Sequence, residues 1–137
     1  MNGLADQALT IANLKARYCA AADLAAQDPD EARTLFAKIF TTDFVGDYGM
    51  GLLEGADAIT GFLCTAIAGN SLWVLHMLHS PRIEVDGDEL RGDWTVMVKL
   101  KRRESGVIDT VMGRYADRFR LTPQGWRIAQ VRFDRME

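Results

Sequence analysis

Two residues able to move a proton stand out because nothing near them in the chain explains their presence. Asp23 falls in Arg17-Tyr18-Cys19-Ala20-Ala21-Ala22-Asp23-Leu24-Ala25-Ala26, an alanine-rich and mostly apolar segment. On a helix, surface neighbours are three and four residues away. For Asp23 these are Cys19, Ala20, Ala26 and Gln27, none of them basic. If that face is buried, the carboxylate needs a partner from elsewhere in the fold, because an unpaired buried charge is costly. The chain has two histidines, His76 and His79, both in the apolar run Trp73-Val74-Leu75-His76-Met77-Leu78-His79. A carboxylate that holds an imidazole is the usual construction of a general base that works near neutral pH.

The elements that must bring these groups together read as helices first and strands afterwards. Ile11, Leu14, Tyr18, Ala22 and Ala25 recur at helical spacing, so a helix is expected from Leu9 to about Gln27. Asp28-Pro29 resembles an N-cap followed by proline at the first helical position, and starts a second helix reaching about Phe40. Thr42 to Tyr48 reads as a short strand, and Gly46, Gly49, Gly51 and Gly55 punctuate a loop or hairpin. A third helix is expected over Ala56 to Ala68, with Ile59, Phe62, Leu63 and Ile67 on one face and Gly69-Asn70 at its end. Four long strands follow: Leu72 to Val85, Leu90 to about Arg102, Val107 to Leu121, and Trp126 to Phe133. The turns between them are Asp86-Gly87-Asp88, Ser105-Gly106 and Gln124-Gly125. Such an order defines the α+β class. Strands of this length must curl, and a curled antiparallel sheet closed by three helices makes a cone with a deep apolar pocket.

Composition narrows the function classes. The 137 residues suit a single domain spanning 1–137, and 48% hydrophobic with 26% charged residues is ordinary for a soluble globular protein. A net charge of −3 argues against a nucleic-acid surface. Basic residues cluster at Lys99, Lys101, Arg102 and Arg103, but Glu104 and Asp109 follow, which reads as a solvated strand end. Cys19 and Cys64 form no motif, as expected in a reducing compartment, and neither a signal peptide nor a membrane-spanning stretch is visible. A cytoplasmic protein without membrane association is the expectation. No metal site is expected, since His76 and His79 lie at an odd separation on a strand and point apart. No phosphate loop, nucleophilic serine elbow or activated-cysteine motif is present, so no cofactor is implied.

An ordered set of motifs carries a resemblance. It comprises Ile11-x2-Leu14-x3-Tyr18-x4-Asp23, Phe44-x3-Tyr48, Leu53-Glu54-Gly55-x3-Ile59, His76-x5-Arg82-Ile83-x-Val85-Asp86-Gly87-Asp88, and Gly125-Trp126-Arg127-Ile128. In this order they resemble the SnoaL-like branch of the nuclear-transport-factor-two-like superfamily, over nearly the whole chain. The fold the resemblance implies is a cone-shaped α+β barrel, often dimeric or trimeric. Within the superfamily the set is most similar to scytalone dehydratase, bile-acid 7α-dehydratase and hexachlorocyclohexane dehydrochlorinase. Those enzymes use an Asp–His dyad, which maps onto Asp23 and His76. Tyr18 and Tyr48 match active-site tyrosines of such relatives. The chain also departs from them: Val96-Met97-Val98-Lys99-Leu100 lacks the second histidine or acid that some carry, so one fewer proton-transfer group is expected.

Strand parity and family register pull in different directions at the histidines. Residues two apart on a strand share a face. If Ile83 and Val85 look inward, a strict ladder turns His79 inward and His76 outward. Pro81 breaks that ladder, and a bulge resets parity, so the family register with His76 inward is followed. The expected lining includes Val74, Leu78, Trp94, Val96 and Val98. The reading that results is a lyase or dehydratase acting on a small, mostly apolar substrate, cyclic ones included. His76 would be the base, Asp23 its orienting group, and Tyr18 or Tyr48 the group that polarises a carbonyl or protonates a leaving group. Alternatives on the same fold are a polyketide-cyclase-like or ketosteroid-isomerase-like enzyme, and a non-catalytic binding or assembly subunit such as the small subunit of a ring-hydroxylating dioxygenase. Apolar residues at both parities of the long strands imply a homo-oligomer, dimer or trimer.

Overall fold

The computed structural model describes residues 3–137. Helix α1 spans Leu4–Leu24, starting one turn earlier than its apolar periodicity suggests. Its buried side is formed by Ile11, Leu14, Lys15, Tyr18, Cys19, Ala21 and Ala22. Helix α2, Pro29–Phe36, begins as the Asp28-Pro29 pair indicates: the Asp28 carboxylate accepts from the Glu31 N–H at 3.1 Å, and proline takes the first helical position. It stops short of Phe40, which instead opens strand β1, Phe40–Asp47. Strand β2, Leu52–Glu54, pairs antiparallel with β1 and closes the glycine-rich loop between them. Helix α3, Ala56–Gly61, runs into a π-helical turn over Phe62–Ile67 and a 3-10 turn over Ala68–Asn70. π turns of this kind occur mostly as local insertions at functional sites.

The four long strands are β3 (Ser71–Asp86), β4 (Glu89–Arg102), β5 (Ile108–Thr122) and β6 (Gly125–Arg135). The six strands form one sheet in the order β2-β1-β6-β5-β4-β3. All pairs are antiparallel except β1 with β6, which is parallel, so the sheet is mixed and open, with β2 and β3 as its edges. The inner face is read directly from β4, where Leu90, Gly92, Trp94, Val96, Val98 and Leu100 are buried and the intervening residues are more exposed. Register then carries that face onto β5 as Phe119, Asp117, Tyr115, Gly113 and Val111. Helix α1 lies against this face, and the core runs from Ile11, Leu14 and Tyr18 through Phe36, Phe40 and Phe44 to Phe119, Ile128 and Val131.

One charged pair is sealed inside this core. Lys15 Nζ on α1 lies 2.8 Å from Asp117 Oδ2 on β5, and both side chains are inaccessible to solvent. Asp117 has room there because the residue opposite it on β4 is Gly92. A Cβ at Gly92 would come within 2.5 Å of the Trp94 ring. Burial pushes the Asp117 carboxyl up to about 6, even with the Lys15 ammonium opposing the shift. Replacing Lys15 by methionine leaves the carboxylate buried and unpaired, and should lower the unfolding free energy by about 3–5 kcal/mol at neutral pH. A group whose folded pKa exceeds its unfolded value takes up a proton on folding as pH falls, so acid removes the penalty. The deficit of Lys15→Met should therefore shrink at mildly acidic pH, as measured by urea denaturation at both conditions.

Candidate active site

Asp23 stands in the last turn of α1, where the helix dipole disfavours a negative charge. Its Oδ1 accepts two hydrogen bonds from one residue of β3: the backbone N–H of His76 at 3.0 Å and the ring Nδ1 of His76 at 2.6 Å. A carboxylate can only accept, so Nδ1 carries the proton and Nε2 is left as the acceptor nitrogen. No hydrogen bond among the described residues engages Nε2. The His76 side chain is 6% exposed and that of Asp23 22%. The pair is held by backbone and side chain together, so the ring cannot turn without breaking the contact. Arg132, a conceivable alternative partner for Asp23, pairs with Asp134 on an exposed part of β6.

The parity conflict is resolved by a bulge. On β3 the register with β4 runs His76↔Val98 and His79↔Thr95, then slips by one residue before Arg82↔Asp93 and Ile83↔Gly92. Ser80 sits in the slip with φ of 54°, the left-handed region that a side chain ordinarily avoids. His76 therefore shares the inner face with Ile83 although the two are seven apart, whereas His79 is exposed.

Beside the dyad a cavity of about 480 Å³ opens, within the usual range for small-molecule sites. His76, Tyr18 and Tyr48 line it, and the Tyr18 and Tyr48 hydroxyls are 2.7 Å apart. Tyr115 joins them, its ring edge-on to Tyr18 at 6.0 Å between centroids. Burial holds the hydroxyls of Tyr18, Tyr48 and Tyr115 protonated well above the ordinary tyrosine range, so they act as donors rather than bases. The walls are apolar: Phe62, Leu63 and Ile67 of the π turn face Val98, Leu100, Val111 and Phe133 of the sheet. Arg102, Arg135 and Glu137 are the charged residues of the lining. Nowhere among the described residues do three histidine, cysteine or acidic side chains gather as a metal site would need.

Of the lining anticipated from parity, Val98 faces the cavity. Val74, Trp94 and Val96 do not; they are buried in the core, and Leu78 is half-buried against it. Their inward direction is as anticipated, but α1 fills the space in front of them, with Lys15 Nζ 6.0 Å from the Trp94 ring. From Trp94 and Val96 the cavity lies further along β4, at Val98 and Leu100; Val74, opposite Leu100, is buried on the β3 side, where the end of α1 packs. Tyr115, Phe133 and the π-turn residues escaped the sequence reading. The alternation Gly113-x-Tyr115-x-Asp117-x-Phe119 was the available signal for Tyr115, since it marks one face of β5.

Three helices packed on an open, mixed six-stranded sheet are the fold of the nuclear-transport-factor-two-like proteins. The chain belongs to the SnoaL-like domain family, whose model matches residues 4–132. Among solved structures it is similar to a nuclear-transport-factor-two-like superfamily protein from Salmonella enterica serovar Typhimurium, with 22% identity, 98% of this chain and 94% of that chain covered, and a TM-score of 0.87. The hexachlorocyclohexane dehydrochlorinase LinA-type3 from Novosphingobium barchaimii matches at 15% identity over 98% of this chain and 88% of that one, with a TM-score of 0.81. A protein from Novosphingobium aromaticivorans provisionally named scytalone dehydratase matches at 17% identity over 93% and 82%, with a TM-score of 0.77. At such identities the likeness is one of fold. No curated protein sequence matches the chain.

The bulge that turns His76 inward can be probed through Ser80. Ser80→Val places a β-branched residue in the left-handed region and should cost roughly 1–2 kcal/mol, while Ser80→Gly should be close to neutral. Thermal melting of the two variants against wild type tests this.

Proposed function

We propose that the protein is a cofactor-independent lyase, in which the Asp23–His76 dyad removes a proton from a small, mostly apolar substrate. The observation that carries this reading is the 2.6 Å contact that leaves His76 Nε2 unpaired at the wall of a cavity with apolar sides. The substrate carbon to be deprotonated would lie against Nε2. Asp23 keeps the proton of the ring on Nδ1 and stabilises the imidazolium as it forms. Tyr18 and Tyr48, sharing one hydrogen bond, would donate to the carbonyl oxygen that activates the adjacent C–H, or to a departing hydroxyl. Loss of water or of another leaving group follows from the carbanion or enolate so produced. General-base catalysis of this kind supplies about 10²–10⁴-fold. The apolar walls exclude water and strengthen each of these polar contacts. The dehydrochlorinase and dehydratase names carried by structural neighbours are consistent with an elimination.

The protein would act as a homo-oligomer. The outer face of the sheet aligns Met77, Met97 and Met112 in one row across β3, β4 and β5, flanked by Trp73, Leu75 and Ile108. Leu75, Met112 and Ile108 are 48%, 50% and 52% exposed, an apolar surface of the kind that marks an interface. Cys19 and Cys64 are both free and buried, in keeping with a reducing, cytoplasmic setting. No helix among the described residues is long and apolar enough to cross a membrane.

Two measurements test these readings. His76→Ala and Asp23→Asn should each remove most turnover of an elimination substrate while leaving the fold intact. Because the two residues act as a unit, the double variant should be scarcely worse than the worse single one. Lys99→Ala, on the outer parity of β4, should change kcat little. Near-wild-type kcat without His76, or additive losses, rules out the dyad. For the assembly, light scattering should give a dimer or trimer at micromolar concentration, and Met97→Glu in the middle of the methionine row should shift it to monomer.

A further inference from the structure

The chemistry above uses Asp23, His76, Tyr18 and Tyr48, and leaves the sealed ion pair between α1 and β5 without a part. The surroundings of that pair are unusual for a strut. Lys15 Nζ has no hydrogen-bonding or ionic partner among the described residues besides the Asp117 carboxylate, and it lies over two aromatic rings. It lies 3.5 Å from the centroid of the Tyr115 ring and 3.9 Å from that of Tyr18. Neither Lys15 nor Asp117 lines the cavity, but both tyrosines do. One ammonium therefore rests on the rear of two rings that take part in the cavity wall.

A cation on the face of a phenol draws electron density from its oxygen and makes the hydroxyl a stronger hydrogen-bond donor. In a dry site the effect is far larger than in water, and it grows as the bound oxygen gains negative charge. Burial of all three hydroxyls opposes it, and the Asp117 carboxylate does so at Tyr48 and Tyr115. The ammonium is nevertheless the charge seated on both ring faces, while no carboxylate oxygen of Asp117 is hydrogen-bonded to a tyrosine. Other ionisable groups facing the cavity are His76, held from behind by Asp23, and Arg102, Arg135 and Glu137 elsewhere in the lining. Arg102 is paired with Asp109 at 2.7 Å.

We propose that Lys15, held in place by Asp117, is a positioning residue that polarises the Tyr18–Tyr48–Tyr115 hydroxyl cluster from behind, so that the cavity prefers ligands bearing an anionic oxygen on a planar carbon, an enolate or phenolate. The inference rests on the reading of the cavity as a ligand site with tyrosine donors. It does not depend on the dyad being active.

The test is equilibrium binding without turnover, so that an inactive dyad and a failed inference remain separate results. The probes are 4-nitrophenol, followed by the visible band of its phenolate, and 4-nitroanisole, of similar shape but with no ionisable oxygen. The proteins are wild type, Lys15→Met/Asp117→Leu, Tyr18→Phe and Lys99→Gln. Replacing both members of a buried pair by apolar residues of similar volume is often neutral or stabilising, so the double variant should melt at or above the wild-type temperature. It should lose about tenfold or more in affinity for the phenolate and keep its affinity for nitroanisole. Tyr18→Phe should lose the same preference, and Lys99→Gln, on the outer face of β4 and away from the cavity, should retain it. In wild type alone, a pH titration should show bound nitrophenol ionising more readily than free nitrophenol. The inference is overturned by unchanged phenolate affinity in the double variant, by equal loss for both probes, or by a matching loss in Lys99→Gln. It is equally overturned by a wild-type site that binds neither probe, or that makes bound nitrophenol harder to ionise; this last readout holds even if the double variant fails to fold.

Discussion

The contact between Lys15 and Asp117 fixes the one relationship that the rest of the molecule uses: the rotation and height of α1 against the inner face of the sheet. A buried ammonium and carboxylate at 2.8 Å tolerate little sliding, because any separation leaves both charges desolvated and unpaired. From that anchor the helix repeat sets everything downstream. Tyr18 follows three residues later on the same face, and Asp23 follows eight later, about two turns on. The dyad carboxylate and the cavity tyrosine are thus referenced to β5 through a contact neither of them makes.

The second constraint comes from the opposite side. His76 reaches Asp23 only because β3 is not a uniform strand. The slip between His79 and Arg82, with Ser80 in a left-handed conformation, lets His76 and Ile83 share one face. The strain of a serine at positive φ is stored one turn of the pleat away from the dyad. Strain next to functional groups is common where the surrounding structure over-determines it. Here the partners are a long hairpin with β4 on one side and α1 on the other.

Together these constraints divide the sheet's inner face into two territories. Under α1 the face is packed solid, with Trp94, Val96 and Phe119 in the core. Beyond the end of α1's cover it is open, and the π turn Phe62–Ile67 forms the opposite wall of the cavity. The polar groups cluster where the two territories meet: the dyad, the tyrosine hydroxyls, and behind them the buried ammonium. A single fold can host unrelated activities, and in this chain the groups able to do chemistry lie at this boundary rather than across the sheet.

Local signals in the chain determined the element types and much of the site. The alanine-rich helical period, the Asp28-Pro29 cap and the alternation along β4 each rest on interactions within a few residues, which is why they could be read in order. Asp23 was recognisable from what was missing around it, and Tyr18 and Tyr48 from their place in an ordered motif set. The parallel pairing of β1 with β6, the shift of the cavity away from Val74, Trp94 and Val96, and the union of Lys15 with Asp117 were decided only in three dimensions. Parity tells which way a side chain points, but not what stands in front of it. Lys15 reads from sequence as an ordinary solvated lysine, because the Asp117 carboxylate and the Tyr115 ring that receive it lie about a hundred residues away along the chain.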